Sequence, residues 1–301
     1  MKHMNDYVIR GMAGDGQIRA FAASTRNMTE EARRRHNSSP VVTAALGRLM
    51  TAAAMIGIQC KEDSDKLTLK IKGDGPVEAL YAVADNQGHV KGFALHPQVL
   101  LHARQDGKLD VGRAVGKGEL TIIRDLGLKE PYVGTCALVN GEIAEDLTYY
   151  YALSEQTPSS VSLGVLMSKD NTVAQAGGFM LQLLPGASEE MIAALEEKVM
   201  AAPPVTAWLE EGLKAEDILN RLLGDFVWEE TERREVSFRC DCNRDKMEGI
   251  LLGLGRHELL DLMVSQETVE VHCDYCNTTY SFTRPELKEL FKRNFRSEKT
   301  E

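Results

Sequence analysis

The sequence predicts an α+β protein: an N-terminal domain of mixed α/β sheet, a helical acidic linker and a small C-terminal four-cysteine zinc module. Three observations lead there. Strand-like runs follow one another with few helices between them over the first part of the chain, which favours sheets built from sequential strands over a doubly wound fold. Acidic residues concentrate after Pro185-Gly186, where the pattern turns helical. Four of the six cysteines fall in two close pairs in the last quarter of the chain. The predicted boundaries are 1–184 for the core domain, 185–232 for the linker and 233–301 for the zinc module.

Residues 7–12 and 17–22 read as strands joined across Gly14-Asp15-Gly16, a turn suited to a hairpin. Asn27 and Glu30 have the spacing of a capping box for a helix carrying Arg33, Arg34, Arg35 and His36, whose basic run reads as a solvated face. Residues 41–58 are apolar nearly all round, the signature of a helix buried inside a domain. Leu67, Leu69 and Ile71 alternate with polar neighbours over 66–72, and Gly73-Asp74-Gly75-Pro76 turns the chain into a second run at 77–83. Further strands are predicted at 88–94, 119–125, 133–139, 160–167 and 174–184, with a helix over 142–155.

Residues 187–235 hold 13 acidic and 5 basic side chains, so this segment carries most of the net charge of −10. Its pattern is helical. Met191, Ile192, Leu195 and Val199 form one stripe, Pro203-Pro204 interrupts, and Trp208, Leu209, Leu213, Ile218, Leu219, Leu222 and Leu223 supply further stripes. Helices this short are marginal alone and borrow stability from whatever covers those faces.

A chain of 301 residues with 43% hydrophobic and 27% charged residues can bury a real core. The negative charge disfavours nucleic acid and anionic membranes as partners. The longest strongly apolar stretch, 49–58, falls short of the roughly twenty residues a bilayer span needs. The first ten residues lack the apolar region of an export signal, so a cytoplasmic protein is expected. Met4 offers an alternative start behind Met1, Lys2 and His3.

The chemistry concentrates in Cys240-Asp241-Cys242 and Cys273-Asp274-Tyr275-Cys276. Zinc prefers a tetrahedron of soft ligands, and two thiolate pairs on two turns supply it. One zinc ion per chain is expected on Cys240, Cys242, Cys273 and Cys276. The C-x-C pair is one residue tighter than the usual zinc-ribbon knuckle. Arg239, Arg244 and Lys246 are expected to offset Asp241 and Asp274 beside the thiolates; His257 and His272 read as ordinary imidazoles, because four sulfurs close the site. Spacing alone favours a permanent structural zinc over a redox switch. The chemistry argues the other way, since adjacent thiolates can close locally into disulfides and release the metal. Residues between the pairs read as helices at 244–252 and 258–264 and a strand at 268–272, and 285–295 reads as a closing helix with proline in its first turn.

Other motifs carry less. GRAVGKG at 112–118 lacks the spacing and the Ser or Thr of a phosphate loop, so no nucleotide is expected, and GILLGLG at 249–255 reads as a helix ending at glycine. No Gly-x-Ser-x-Gly elbow frames Ser154, Ser159, Ser160 or Ser162, and no catalytic residue is assigned. Cys60 and Cys136 stand alone and read as packing thiols rather than reactive ones. The run AGGFMLQLLP at 176–185 reads as a core strand that would be adhesive if uncovered.

With these residues in view, the chain resembles the heat-shock protein 33 family of redox-regulated chaperones almost end to end. The resemblance is carried by AALGRLMTAA at 44–53, GDGPV at 73–77, IAEDLTYYYALSEQ at 143–156, AGGFMLQLLPG at 176–186, and 238–242 with 273–276, including the unusual C-x-C. It implies an ATP-independent holdase, inactive when reduced and zinc-bound, activated by peroxide or hypochlorous acid under unfolding conditions, and dimeric when active. It also implies that Cys240 pairs with Cys242 and Cys273 with Cys276 in the oxidised form. Partners would be unfolding client proteins. Two other readings stay open: a zinc-ribbon nucleic-acid adaptor using Arg33, Arg34 and Arg35, and a dithiol oxidoreductase using Cys273 and Cys276.

Overall fold

The structure, a computed structural model, describes residues 5–295, so Met1, Lys2, His3 and the alternative start at Met4 lie outside the described residues. The chain divides into two compact units between Arg239 and Cys240. Residues 185–232 therefore belong to the first unit.

In chain order the first unit carries β1 (Tyr7–Ala13), β2 (Ile18–Ser24), α1 (Arg26–His36), α2 (Pro40–Gly57), β3 (Lys66–Gly73), β4 (Ala79–Ala84), β5 (His89–Ala94), α3 (Val111–Val115), β6 (Gly118–Asp125), β7 (Tyr132–Ala137), α4 (Ala144–Ser154), β8 (Ser159–Met167), β9 (Val173–Leu183), α5 (Glu189–Ala201), α6 (Val205–Glu210), α7 (Ala215–Leu223), β10 (Trp228–Glu235) and β11 (Ser237–Phe238). They build a five-stranded sheet in the order β10-β1-β2-β9-β8 and a six-stranded sheet in the order β11-β5-β4-β3-β6-β7. All pairings are antiparallel except β11 with β5.

Helix α2 packs on strands of both sheets, and every residue in it except Pro40 and Arg48 is buried. Its all-round apolarity follows from that position. It has the length and hydropathy of a membrane-crossing helix, yet 89% of that stretch is buried inside the protein. Its Leu46 and Met50 join Phe21, Leu69, Leu80 and Ile122 in one core.

The N-terminus of α1 is capped differently from the expectation. No side-chain cap comes from the residues beside it. Asp6 caps it from a distance, accepting the Met28 backbone N–H at 2.6 Å, and Glu30 turns instead to Arg33 and to the Val173 N–H. A tertiary partner displaced the local box, which sequence spacing cannot foresee. Asp6 is 4% exposed, and burial pushes its carboxyl up to about 6 against the opposing N–H groups of Met28 and Asn27 and the charge of Arg26.

This makes Asp6 a pH-dependent element of stability. Its folded-state value lies above the ordinary 3.8, so the folded protein holds the proton more tightly; that contribution is present below about pH 4 and lost as pH rises through 6. Asp6→Asn keeps an acceptor for Met28 and cannot ionise. It is expected to exceed the parent in stability at pH 7 by about 1–2 kcal/mol, after allowing for weaker neutral hydrogen bonds, and to lose that advantage near pH 4. Urea unfolding of both proteins at the two pH values checks the sign.

The other face of the five-stranded sheet forms a second core. Ile9, Ile18, Ala22, Phe179 and Leu181 alternate onto it, and Leu195, Trp208, Leu209, Ile218, Leu219, Leu222 and Leu223 of α5, α6 and α7 cover them. The apolar stripes thus bury against a sheet. Residues 228–235 depart from the helical expectation: they form β10, an edge strand in antiparallel register with β1. WEETERRE lacks strand-like alternation because neither of its faces is fully covered, and backbone pairing with β1 sets its conformation. The Trp228 ring lies so close to Gly11 that a Cβ there would be 2.8 Å from it, so glycine is needed at that crossing.

The second unit contains α8 (Arg244–Gly253), α9 (Arg256–Ser265), β12 (Thr268–Cys273), β13 (Thr278–Thr283) and α10 (Arg284–Phe295). The sequence pattern predicts only the first strand of the β12–β13 hairpin. Its core is Met247, Leu251, Leu259, Met263, Val269, Phe282, Leu287 and Leu290, too little apolar surface to hold a unit of this size without a staple.

Candidate metal centre

The four clustered cysteines converge. Cys240 and Cys242 lie on the irregular segment before α8, which is capped by Asn243, whose side chain accepts the Lys246 N–H. Cys273 ends β12, and Cys276 follows on a turn in which the Cys276 and Asn277 N–H groups donate to the Cys273 carbonyl at 3.3 and 2.8 Å. Asn277 takes the left-handed conformation, φ 57°, that lets the chain enter β13.

All four Sγ atoms lie within 4.8 Å of one another. Cys240 and Cys273 are 3.7 Å apart, Cys242 and Cys276 3.2 Å. A tetrahedron with metal–sulfur bonds of about 2.3 Å has edges of roughly 3.8 Å, so this donor set fits one soft metal ion. None of the four is in a disulfide; Cys240 and Cys242 are half-buried and Cys273 and Cys276 buried. Burial pushes the Cys240 and Cys273 thiols up, whereas at Cys276 burial is outweighed by the Thr278 hydroxyl and Cys242, which bring it down to about 7.

Two groups around the sulfurs had no signal in the cysteine spacing. The Tyr280 hydroxyl is 3.2 Å from Cys242 Sγ, and the Thr278 hydroxyl 3.2 Å from Cys276 Sγ. Both come from β13, and recognising TTYSFT as a strand of alternating residues would have pointed to them. Outer hydrogen bonds of this kind typically change metal affinity 10–100-fold. Tyr280→Phe is therefore expected to speed metal loss to a chelator about tenfold without changing stoichiometry, as a colorimetric chelator assay would record.

Only part of the expected charge compensation is present. Lys246 pairs with Asp241. Arg244 instead stacks on Phe282 at 4.2 Å and pairs with Glu286 at 2.7 Å, because an aromatic face and a carboxylate lie together within reach of its guanidinium. Arg239 meets His89 at 2.9 Å, in the first unit. His257 lies beside Asp261 and His272 beside Thr279, apart from the sulfur cluster. Arg33 pairs with Glu30, and Arg34 and Arg35 with Glu31, so the basic run is matched by acid on its own helix. Cys136 is buried and Cys60 half-buried; burial pushes both thiols up.

Comparison with known proteins agrees with this arrangement. The Hsp33 protein family model matches residues 6–283. The 33 kDa chaperonin of Agathobacter rectalis is 49% identical over 287 residues, covering 95% of this chain and 100% of that protein. That of Clostridioides difficile is 48% identical over 290 residues, covering 96% and 99%. The crystal structure of the 33 kDa chaperonin, an Hsp33 homologue, from Thermotoga maritima superposes with a TM-score of 0.90 at 37% identity, covering 98% of this chain and 100% of that one. The chain belongs to the Hsp33 family of chaperones.

Proposed function

We propose that this protein is a cytoplasmic, redox-regulated holdase that binds unfolding proteins without nucleotide or turnover. The observation that carries it is the set of four mutually close sulfurs that bring together Cys240-x-Cys242 and Cys273-x-x-Cys276. In the reduced state the four residues hold zinc as thiolates, and the bound metal supplies the cross-link that the small core lacks, on the order of 10–16 kcal/mol. Three functional parts follow: core 1–184, linker 185–232 and switch 233–301.

Oxidation acts on the residues themselves. A thiolate attacks peroxide, gives a sulfenic acid and releases hydroxide; its neighbour attacks the sulfenic sulfur, closes the disulfide and releases a second hydroxide. The half-buried Cys240 and Cys242 are the more accessible pair. Two such closures, Cys240 with Cys242 and Cys273 with Cys276, consume two peroxide molecules and leave no thiolate for the metal. The switch then unfolds.

What it releases is the cover of the second core. Tyr7 donates to Glu216 at 2.6 Å, Trp228 donates to Asn220 at 2.8 Å, and β10 runs on β1, so α7, β10 and the residues leading to Cys240 form one continuous attachment. Once the chain after Arg239 is unfolded, that attachment loses its downstream anchor, and α5, α6 and α7 free an apolar sheet face for clients. The oxidised protein is proposed to dimerise. Treating reduced protein with peroxide at mild heat, while following metal release and client light scattering, tests the reading. Both signals should move together; metal release without suppression of aggregation would contradict it.

A further inference from the structure

The two edges of the five-stranded sheet differ. At one edge β10, WEETERRE, is densely charged, the usual protection against pairing with another chain. At the other, β8 reads SSVSLGVLM, with no charge and no proline. It borders a groove of about 830 Å³. All of residues 161–167 line that groove, so it runs along the edge of the strand rather than over one face.

The bonding of β9 fixes which main-chain groups of β8 face the groove. The Thr25 N–H donates to the Ala176 carbonyl and the Leu183 N–H to the Pro158 carbonyl, so even-numbered residues of β9 point toward β2 and odd-numbered ones toward β8. Ser162 is opposite Phe179 and Gly164 opposite Gly177, so Ser162 and Gly164 bond β9. The N–H and C=O groups of Val161, Leu163 and Val165 therefore point outward, and they take no hydrogen bond among the described residues. Over roughly 20 Å the edge offers donors and acceptors in the spacing of a sheet.

The walls select what can pair with it. Leu109 and Ala144 pack beside the first core on one side; Pro204 and Ala207 lie on the other, where a Cβ on Gly164 would be 2.5 Å from Thr206 of α6. A second copy carries the same walls around its own β8 and cannot bring that strand in, whereas a single extended segment fits. Its side chains would alternate between the two apolar walls. Arg48, Arg104 and Lys108 balance Glu142, Glu145 and Glu210 around the groove, which favours a segment without net charge.

We infer that β8 binds an extended, uncharged apolar segment of an unfolding protein as a sixth strand of the sheet. The inference rests on the holdase reading, which supplies this class of occupant. Main-chain pairing tolerates many sequences, as a client site requires. The groove is also continuous with the sheet face that α6 covers, so release of α6 enlarges the same site.

Fluorescence anisotropy on the reduced, metal-loaded full chain tests it, with a labelled peptide of seven alternating valines and threonines and a lysine at each end. Saturable binding is expected. The same peptide N-methylated at two adjacent central amides loses a donor from each edge and should bind at least about tenfold more weakly. Val161→Pro removes an outward N–H, leaves the pairing with β9, and should weaken the unmethylated peptide about tenfold. Ala207→Arg narrows the groove without altering β8 and should weaken it at least about fivefold, which keeps the test if Val161→Pro does not fold. No saturable binding, equal binding of the methylated peptide, or folded variants that bind like the parent would overturn the inference. Those outcomes leave the redox reading standing, because peroxide-driven metal release and client holding are measured separately.

Discussion

Cys242→Ser is expected to abolish stoichiometric zinc binding and to leave the C-terminal unit unfolded in the reduced protein. Serine's oxygen is a poor match for a soft site, and three sulfurs do not close a structural tetrahedron. Losing most of about 10–16 kcal/mol exceeds what the small core around Met247, Leu259, Phe282 and Leu287 can offset. Proton NMR should show collapse of the dispersed signals of this unit, while those of the first unit persist. The reduced variant should suppress client aggregation without oxidant. The same variant separates the chaperone from a dithiol oxidoreductase: Cys273 and Cys276 remain, so an enzyme of that kind would still turn over a disulfide substrate. A folded C-terminal unit in the metal-free variant would contradict the account.

Leu219→Asp is expected to produce client holding with the zinc site intact. Leu219 is fully buried in the second core, where truncation to alanine would cost about 3 kcal/mol and a charge more. Helix α7 should detach from the five-stranded sheet and uncover Ile9, Ile18, Phe179 and Leu181. Reduced Leu219→Asp should then slow the aggregation of a thermally unfolding client while binding as much zinc as the parent. Met200→Asp, at a position 86% exposed on α5, should behave like the parent. If Leu219→Asp loses α7 yet stays inactive when reduced, clients are held elsewhere.

The sequence revealed most where a residue pattern answers to its own neighbours. Leu67, Leu69 and Ile71 alternate because one face of β3 is buried, and the apolar girth of α2 records packing on two sheets. The cysteine pairs declared the centre because metal ligation needs particular atoms at short separations. What stayed hidden depends on partners distant in sequence. Asp6 caps α1 across 22 positions, β10 takes its form from β1, and Arg244 finds Phe282 and Glu286 rather than the acidic residues beside the cysteines. Tyr280 and Thr278 belong to the centre only because β13 folds back on β12.

Counting metal and thiols on one sample before and after oxidation tests the central claim most directly. The reduced protein should contain one zinc per chain and six free thiols, the number of cysteines in the sequence. After peroxide at mild heat it should contain no zinc and two free thiols, those of Cys60 and Cys136. Reduced protein that is metal-free yet folded after Arg239, or oxidised protein that keeps its zinc after losing four thiols, would contradict the account.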